Sequence, residues 1–146
     1  MKATLRSVRP GPGLFLLAGL LVQALSGCAA LPAGPGPALQ IDGLDFENRS
    51  ASPINSIRLL VPATGNFVSC GYISPGASCA SGFPGVAYRA EPVEISWTQG
   101  GQEWTTGEIT LQADEQVARS GAAKVMVVVL APGSAGAVLV SSSRQD

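Results

Sequence analysis

The sequence predicts an all-β domain: a small antiparallel β-sandwich of immunoglobulin-like architecture, with about seven strands. Three observations lead there. From Leu39 onward apolar residues recur with a period of two, the spacing of a strand that buries one face. Gly, Pro, Asn and Ser punctuate these stretches at short intervals. The one segment with helix-forming residues, Ala113–Ser120, reads as too short and too polar to bury a face. A small β-barrel is the alternative closure of the same strands.

Each element carries its own signal. Leu44, Phe46 and Asn48 alternate with Asp45 and Glu47, and Ser52-Pro53 marks the following turn. Ile57, Leu59 and Val61 alternate with Arg58 and Leu60 until Pro62 ends the run. Ala63-Thr64-Gly65-Asn66 then turns the chain into Phe67–Ile73. The clearest hairpin follows. Val93, Ile95 and Trp97 face one way, and Glu94, Ser96 and Thr98 the other. Gln99-Gly100-Gly101-Gln102 supplies the positive-φ positions of a tight turn, and Glu103–Leu111 is the return strand. Trp97 and Trp104 are thereby expected to face each other across the ladder. Lys124–Leu130 is the most apolar run after the N-terminal segment and reads as a central strand. Ala131–Gly136 turns it into Ala137–Ser141. The Gly/Pro-rich stretch between Cys70 and Tyr88 reads as a loop.

The first residues read as an address. Lys2, Arg6 and Arg9 precede the apolar run Leu14–Leu25, which is 12 residues long and contains Gln23. A spanning helix needs roughly 20 apolar residues, so a secretory signal peptide over 1–27 is the better reading. Its closing tetrapeptide, Leu25-Ser26-Gly27-Cys28, resembles the lipobox of bacterial lipoproteins. That resemblance implies cleavage before Cys28, a diacylglycerol on its sulfur and a membrane partner reached through that lipid. With Ala29 next, it implies the outer membrane, with the domain facing the periplasm. Residues 28–38 then read as the lipidated cysteine and a tether, because Ala29–Ala38 holds Pro and Gly and no charge. The Gly34-Pro35-Gly36 stretch lacks the strand and helix of a phosphate loop. The domain proper is 39–146.

The full chain of 146 residues has net charge −1; without the signal it keeps six basic and ten acidic residues and stands at −4. This balance excludes the clustered Lys and Arg that a nucleic-acid partner requires. With Cys28 assigned to the lipid, Cys70 and Cys79 remain, and an oxidising compartment makes them a disulfide. Neither C-x-x-C nor a Cys/His cluster is present, so no metal site and no cofactor is expected.

The stretch Phe67-Val68-Ser69-Cys70-Gly71, with Cys79, Gly82-Phe83-Pro84, Tyr88, Pro92-Val93, Ile95-Ser96-Trp97 and Gly100-Gly101, is similar to a small uncharacterised domain of proteobacterial envelope proteins. The resemblance covers residues 40–112 and implies no activity.

The residues for catalysis are sparse. The chain has no histidine, which removes the usual general base and the usual metal ligand. Lys124 is the only lysine after the signal; Ser120 precedes it by four positions and makes no S-x-x-K arrangement. Gly76–Ala80 lacks the second glycine of a nucleophile elbow. Glu94, Glu103 and Glu108 read as outer-face carboxylates, and no calcium loop follows Asp42, Asp45 and Glu47.

The aromatic residues are more informative: Tyr72, Phe83 and Tyr88 lie near the expected disulfide loop, and Arg89 adds a charge beside them. The expectation is a non-enzymatic binding or structural module with an envelope protein or cell-wall partner. It would meet that partner through Tyr72, Phe83, Tyr88, Arg89 and the Gly100-Gly101 tip. The alternative is an inhibitor of a lysozyme-like hydrolase. Small disulfide-bonded lipoproteins of that kind share the plan, and Ser81-Gly82 with Tyr88 echoes their loop. The bridge here is local, however, and no lysine follows at the second motif.

Overall fold

The computed structural model describes residues 38–142. The signal segment, Cys28 and the tether as far as residue 37 lie outside the described residues. In chain order the elements are β1 (Gln40–Asn48), β2 (Ile54–Val61), β3 (Asn66–Ile73), β4 (Ser78–Ala87), β5 (Val93–Gln99), β6 (Gln102–Ile109), α1 (Glu115–Ser120), β7 (Ala122–Ala131) and β8 (Ser134–Ser141). The strands form two four-stranded sheets, ordered β4-β1-β7-β8 and β3-β2-β5-β6. No strand belongs to both, so the architecture is the sandwich and not the barrel.

The period of two builds the core directly. Leu44, Phe46 and Asn48 of β1 are buried, as are Val93, Ile95, Trp97 and Gln99 of β5 and Ala123, Val125, Val127 and Val129 of β7. The intervening residues face outward and are less buried. Trp97 lies opposite Trp104 in the β5–β6 ladder, as the alternation implies. The turn between them holds Gly100 at φ 63° and Gly101 at φ 78°, a left-handed pair that a two-residue hairpin demands.

Three expectations need correction. The stretch after Cys79 is no loop: it is strand β4, paired antiparallel with β1 from Gln40↔Ala87 to Glu47↔Ser78. The strand count among the described residues is therefore eight. Gly82, Pro84 and Gly85 hide its alternation. As the outermost strand of its sheet, β4 tolerates a proline that a central strand would not. The Ala113–Ser120 segment does form a helix and buries Val117. Asp114 caps it by accepting the Val117 amide at 2.8 Å, and Gly121 at φ 74° ends it. Two good caps and one inward side chain hold a turn and a half of helix that length alone would not. Finally, β1 and β7 pair in parallel, while every other ladder is antiparallel. The chain has crossed to the other sheet and returned through α1 before β7 begins, the kind of crossover a parallel pair requires.

Candidate functional site

The two sheets are joined along one flank by the Cys70–Cys79 disulfide. It links β3 of one sheet to β4 of the other, with Cα atoms 6.5 Å apart. The short connection Ser74–Ala77 carries the chain from β3 in one sheet to β4 in the other, and the bridge staples the end of β3 to the start of β4. Farther along, an apolar cleft of about 900 Å³ opens between the sheets. Ile41, Leu44, Leu59, Val93, Val125 and Leu139 line it.

The cause of the gap is legible in one row of side chains. At the level of Leu44, the row across the first sheet reads Ser81, Leu44, Val125, Leu139. Ser81 is the short member, on the edge strand beside the opening. Packed sheets lie about 10 Å apart, and a serine reaches less far across that distance than its neighbours Leu44, Val125 and Leu139, which are buried.

Tyr88, Arg89 and Glu91 form the rim. The Tyr88 amide donates to Leu39 O at 2.8 Å, which fixes the start of the domain beside the cleft. The Tyr88 hydroxyl donates to Leu111 O. Burial pushes the phenol pKa up, because the charged form would lose its hydration. Between the two charged rim residues, Ala90 adopts φ 55°, a left-handed conformation that non-glycine residues seldom take.

The opposite end of the sandwich is closed by a buried polar network. Asn48 Nδ2 donates to Ser52 O at 2.9 Å and to Ile73 O at 3.0 Å, and its Oδ1 accepts from the Ser50 amide and hydroxyl. Gln99 Nε2 donates to Ser50 Oγ at 2.6 Å, and Gln99 Oε1 accepts from Trp97 Nε1 at 3.3 Å. The β1–β2 crossing is thus tied to β3 and β5 by side chains whose polar atoms are all engaged. Trp104 packs beside it: a Cβ on Gly133, in the β7–β8 turn, would stand 2.9 Å from its ring.

The residues expected to form one contact surface are divided by the fold. Tyr88 and Arg89 lie at the cleft. Gly100 and Gly101 sit at the far end, because β5 runs from cleft-lining Val93 to Gln99 before the turn. Tyr72 is 65% exposed and lies opposite Asn55 on β2, away from the cleft lining. Phe83 falls within β4. The period-two alternation carried no sign that the sheets separate. The signal available was Ser81 itself, a small polar residue at an inward position, but it became readable only once β4 was known to be a strand.

The outer faces hold the charges. Glu94 and Glu103 line a smaller polar depression of about 340 Å³ with Arg58, on the outside of the second sheet. Lys124 pairs with Asp45, and Glu47 with Arg49 at 2.8 Å. The Arg49 hydrogen bonds hold the Glu47 carboxyl below its ordinary range, and Glu47 in turn raises the Arg49 pKa. Beside them, Leu130 and Val138 are exposed on β7 and β8.

No family model matches the chain, and no curated protein matches its sequence. Among solved structures, the chain is similar to an NMR structure of a protein from Eubacterium rectale. The identity is 9%, the TM-score 0.46, and the alignment covers 76% of this chain and 98% of that one.

Proposed function

We propose that the chain is a lipid-anchored protein of the bacterial outer membrane, facing the periplasm, whose β-sandwich is a non-enzymatic binding module for an envelope component. The cleft between the sheets carries the binding part of this reading. Its volume of about 900 Å³ falls in the range of small-molecule pockets, and its lining is mainly apolar with a few polar and charged side chains. The anchoring part is supported by Lys2, Arg6 and Arg9, the short apolar run and Leu25-Ser26-Gly27-Cys28.

The experiment has one arm for each part. Cells fed an alkyne-tagged palmitate are expected to label the wild-type chain and not Cys28→Ser. Label retained by Cys28→Ser contradicts the anchor. The full chain carrying Cys28→Ser is then titrated with the apolar dye 1-anilinonaphthalene-8-sulfonate. Saturable binding to the folded chain, lost in Ser81→Phe, is the expected result. Absence of saturable binding contradicts the module, as does equal binding by both chains.

A further inference from the structure

We infer that the cleft receives an acyl chain of a zwitterionic phospholipid from the membrane that holds the anchor; this rests on the binding and anchoring readings above. The first ground is what the walls offer. Ile41, Leu44, Leu59, Val93, Val125 and Leu139 present C–H surface, and polar side chains such as Asn66, Ser69 and Ser81 are the minority of the lining. A peptide or a sugar drawn between the aliphatic side chains would bury amides or hydroxyls away from those few partners, at a cost of roughly 1–3 kcal/mol for each left unpaired. A hydrocarbon chain has nothing to satisfy and gains about 0.8 kcal/mol per buried CH₂.

The second ground is the charge at the mouth. Arg89 and Glu91 stand two positions apart on the rim, one cationic and one anionic. The guanidinium fork suits a phosphate, and the carboxylate suits an ammonium group. A zwitterionic headgroup carries both. The positive φ of Ala90 turns the backbone between them.

The third ground is where the chain outside the structure leads. Leu39 accepts the Tyr88 amide at the rim, and Cys28 lies eleven positions upstream of it. An extended Pro/Gly tether of that length reaches roughly 30 Å. The lipidated cysteine therefore keeps the rim within reach of the bilayer that supplies the ligand.

The test is native mass spectrometry of the full chain released from membranes in a non-ionic detergent, with lipid analysis of the denatured protein. The expected result is a phospholipid at close to one per chain. Ser81→Phe, which fills the gap, should lower that occupancy at least tenfold with its thermal midpoint unchanged. Ala87→Phe, also at the lining, is the second variant should Ser81→Phe fail to fold. Arg89→Glu should shift the retained lipid away from phosphate-bearing species. Lipid retained equally by both filling variants overturns the inference, since it would then sit elsewhere on the protein. Dye bound saturably with no co-purifying lipid also overturns it, while leaving the binding module intact. Loss of both signals removes the two readings together.

Discussion

Asn48 shows how a single residue divides structure from function in this protein. Its place in the alternation with Leu44 and Phe46 marked it as inward-facing, and a polar side chain there has to be satisfied. The sequence did not say by what, because its partners lie in β3 and in the β1–β2 crossing. Removing the amide takes the side-chain partner from the Ser50 amide and from the Ile73 carbonyl, while Ser52 O keeps Ser50 Oγ and Gln99 Nε2. Asn48→Ala is therefore expected to cost about 2–4 kcal/mol, read as a lower urea midpoint. Tyr88 gives a prediction in pH. Burial raises its pKa above the ordinary 10.0, so the folded chain holds the phenol proton where the unfolded chain releases it. That contribution is complete below the ordinary value and is lost as pH rises through the folded value. Unfolding midpoints followed above pH 10 should fall more steeply for wild type than for Tyr88→Phe. At neutral pH the variant should lose about 1 kcal/mol with the hydrogen bond to Leu111 O.

At the scale of elements, strands with clean alternation were legible and the punctuated one was not. β1, β5 and β7, and β2 from Ile57 onward, follow the alternation and were readable from their spacing. In β4, glycines and Pro84 interrupt the pattern. Its identity comes from pairing with β1, a contact between segments more than thirty positions apart. The helix was missed for the opposite reason, since its stability comes from caps and from Val117. The Cys70–Cys79 bridge was legible as a pair, yet the sequence placed it across a loop, whereas it joins the two sheets. Replacing both cysteines by serine should cost about 2–3 kcal/mol in chain entropy, visible as an equal drop in stability on reduction of the wild type. Gly133 tests the closed end. It combines φ 74° with a ring 2.9 Å from any added Cβ, so Gly133→Ala should cost upward of about 1 kcal/mol and alter the near-ultraviolet signal of Trp104.

On the scale of the whole molecule, the two ends of the sandwich differ in kind. One is locked by Asn48, Ser50, Gln99 and the two tryptophans. The other holds the cleft, which residues of β3 and β4, Ser81 among them, help to line. The expected contact surface joined residues from both ends, because a linear sequence cannot show that Tyr88 and Gly100 lie at opposite ends of the strands. Among the described side chains of that set, Tyr88 and Arg89 line the cleft, and the domain begins beside them at Leu39.

The central claim, a binding module that works through this cleft, is tested most directly by backbone amide chemical shifts. The full chain carrying Cys28→Ser would be titrated with a single-chain phospholipid below its micelle concentration. The account predicts saturating shifts grouped at Ile41, Ser81, Tyr88, Arg89, Val93 and Leu139, with Gly100, Gly101 and Val138 unmoved. Shifts centred on the Gly100-Gly101 tip or on Leu130 and Val138, or none that saturate, would contradict it.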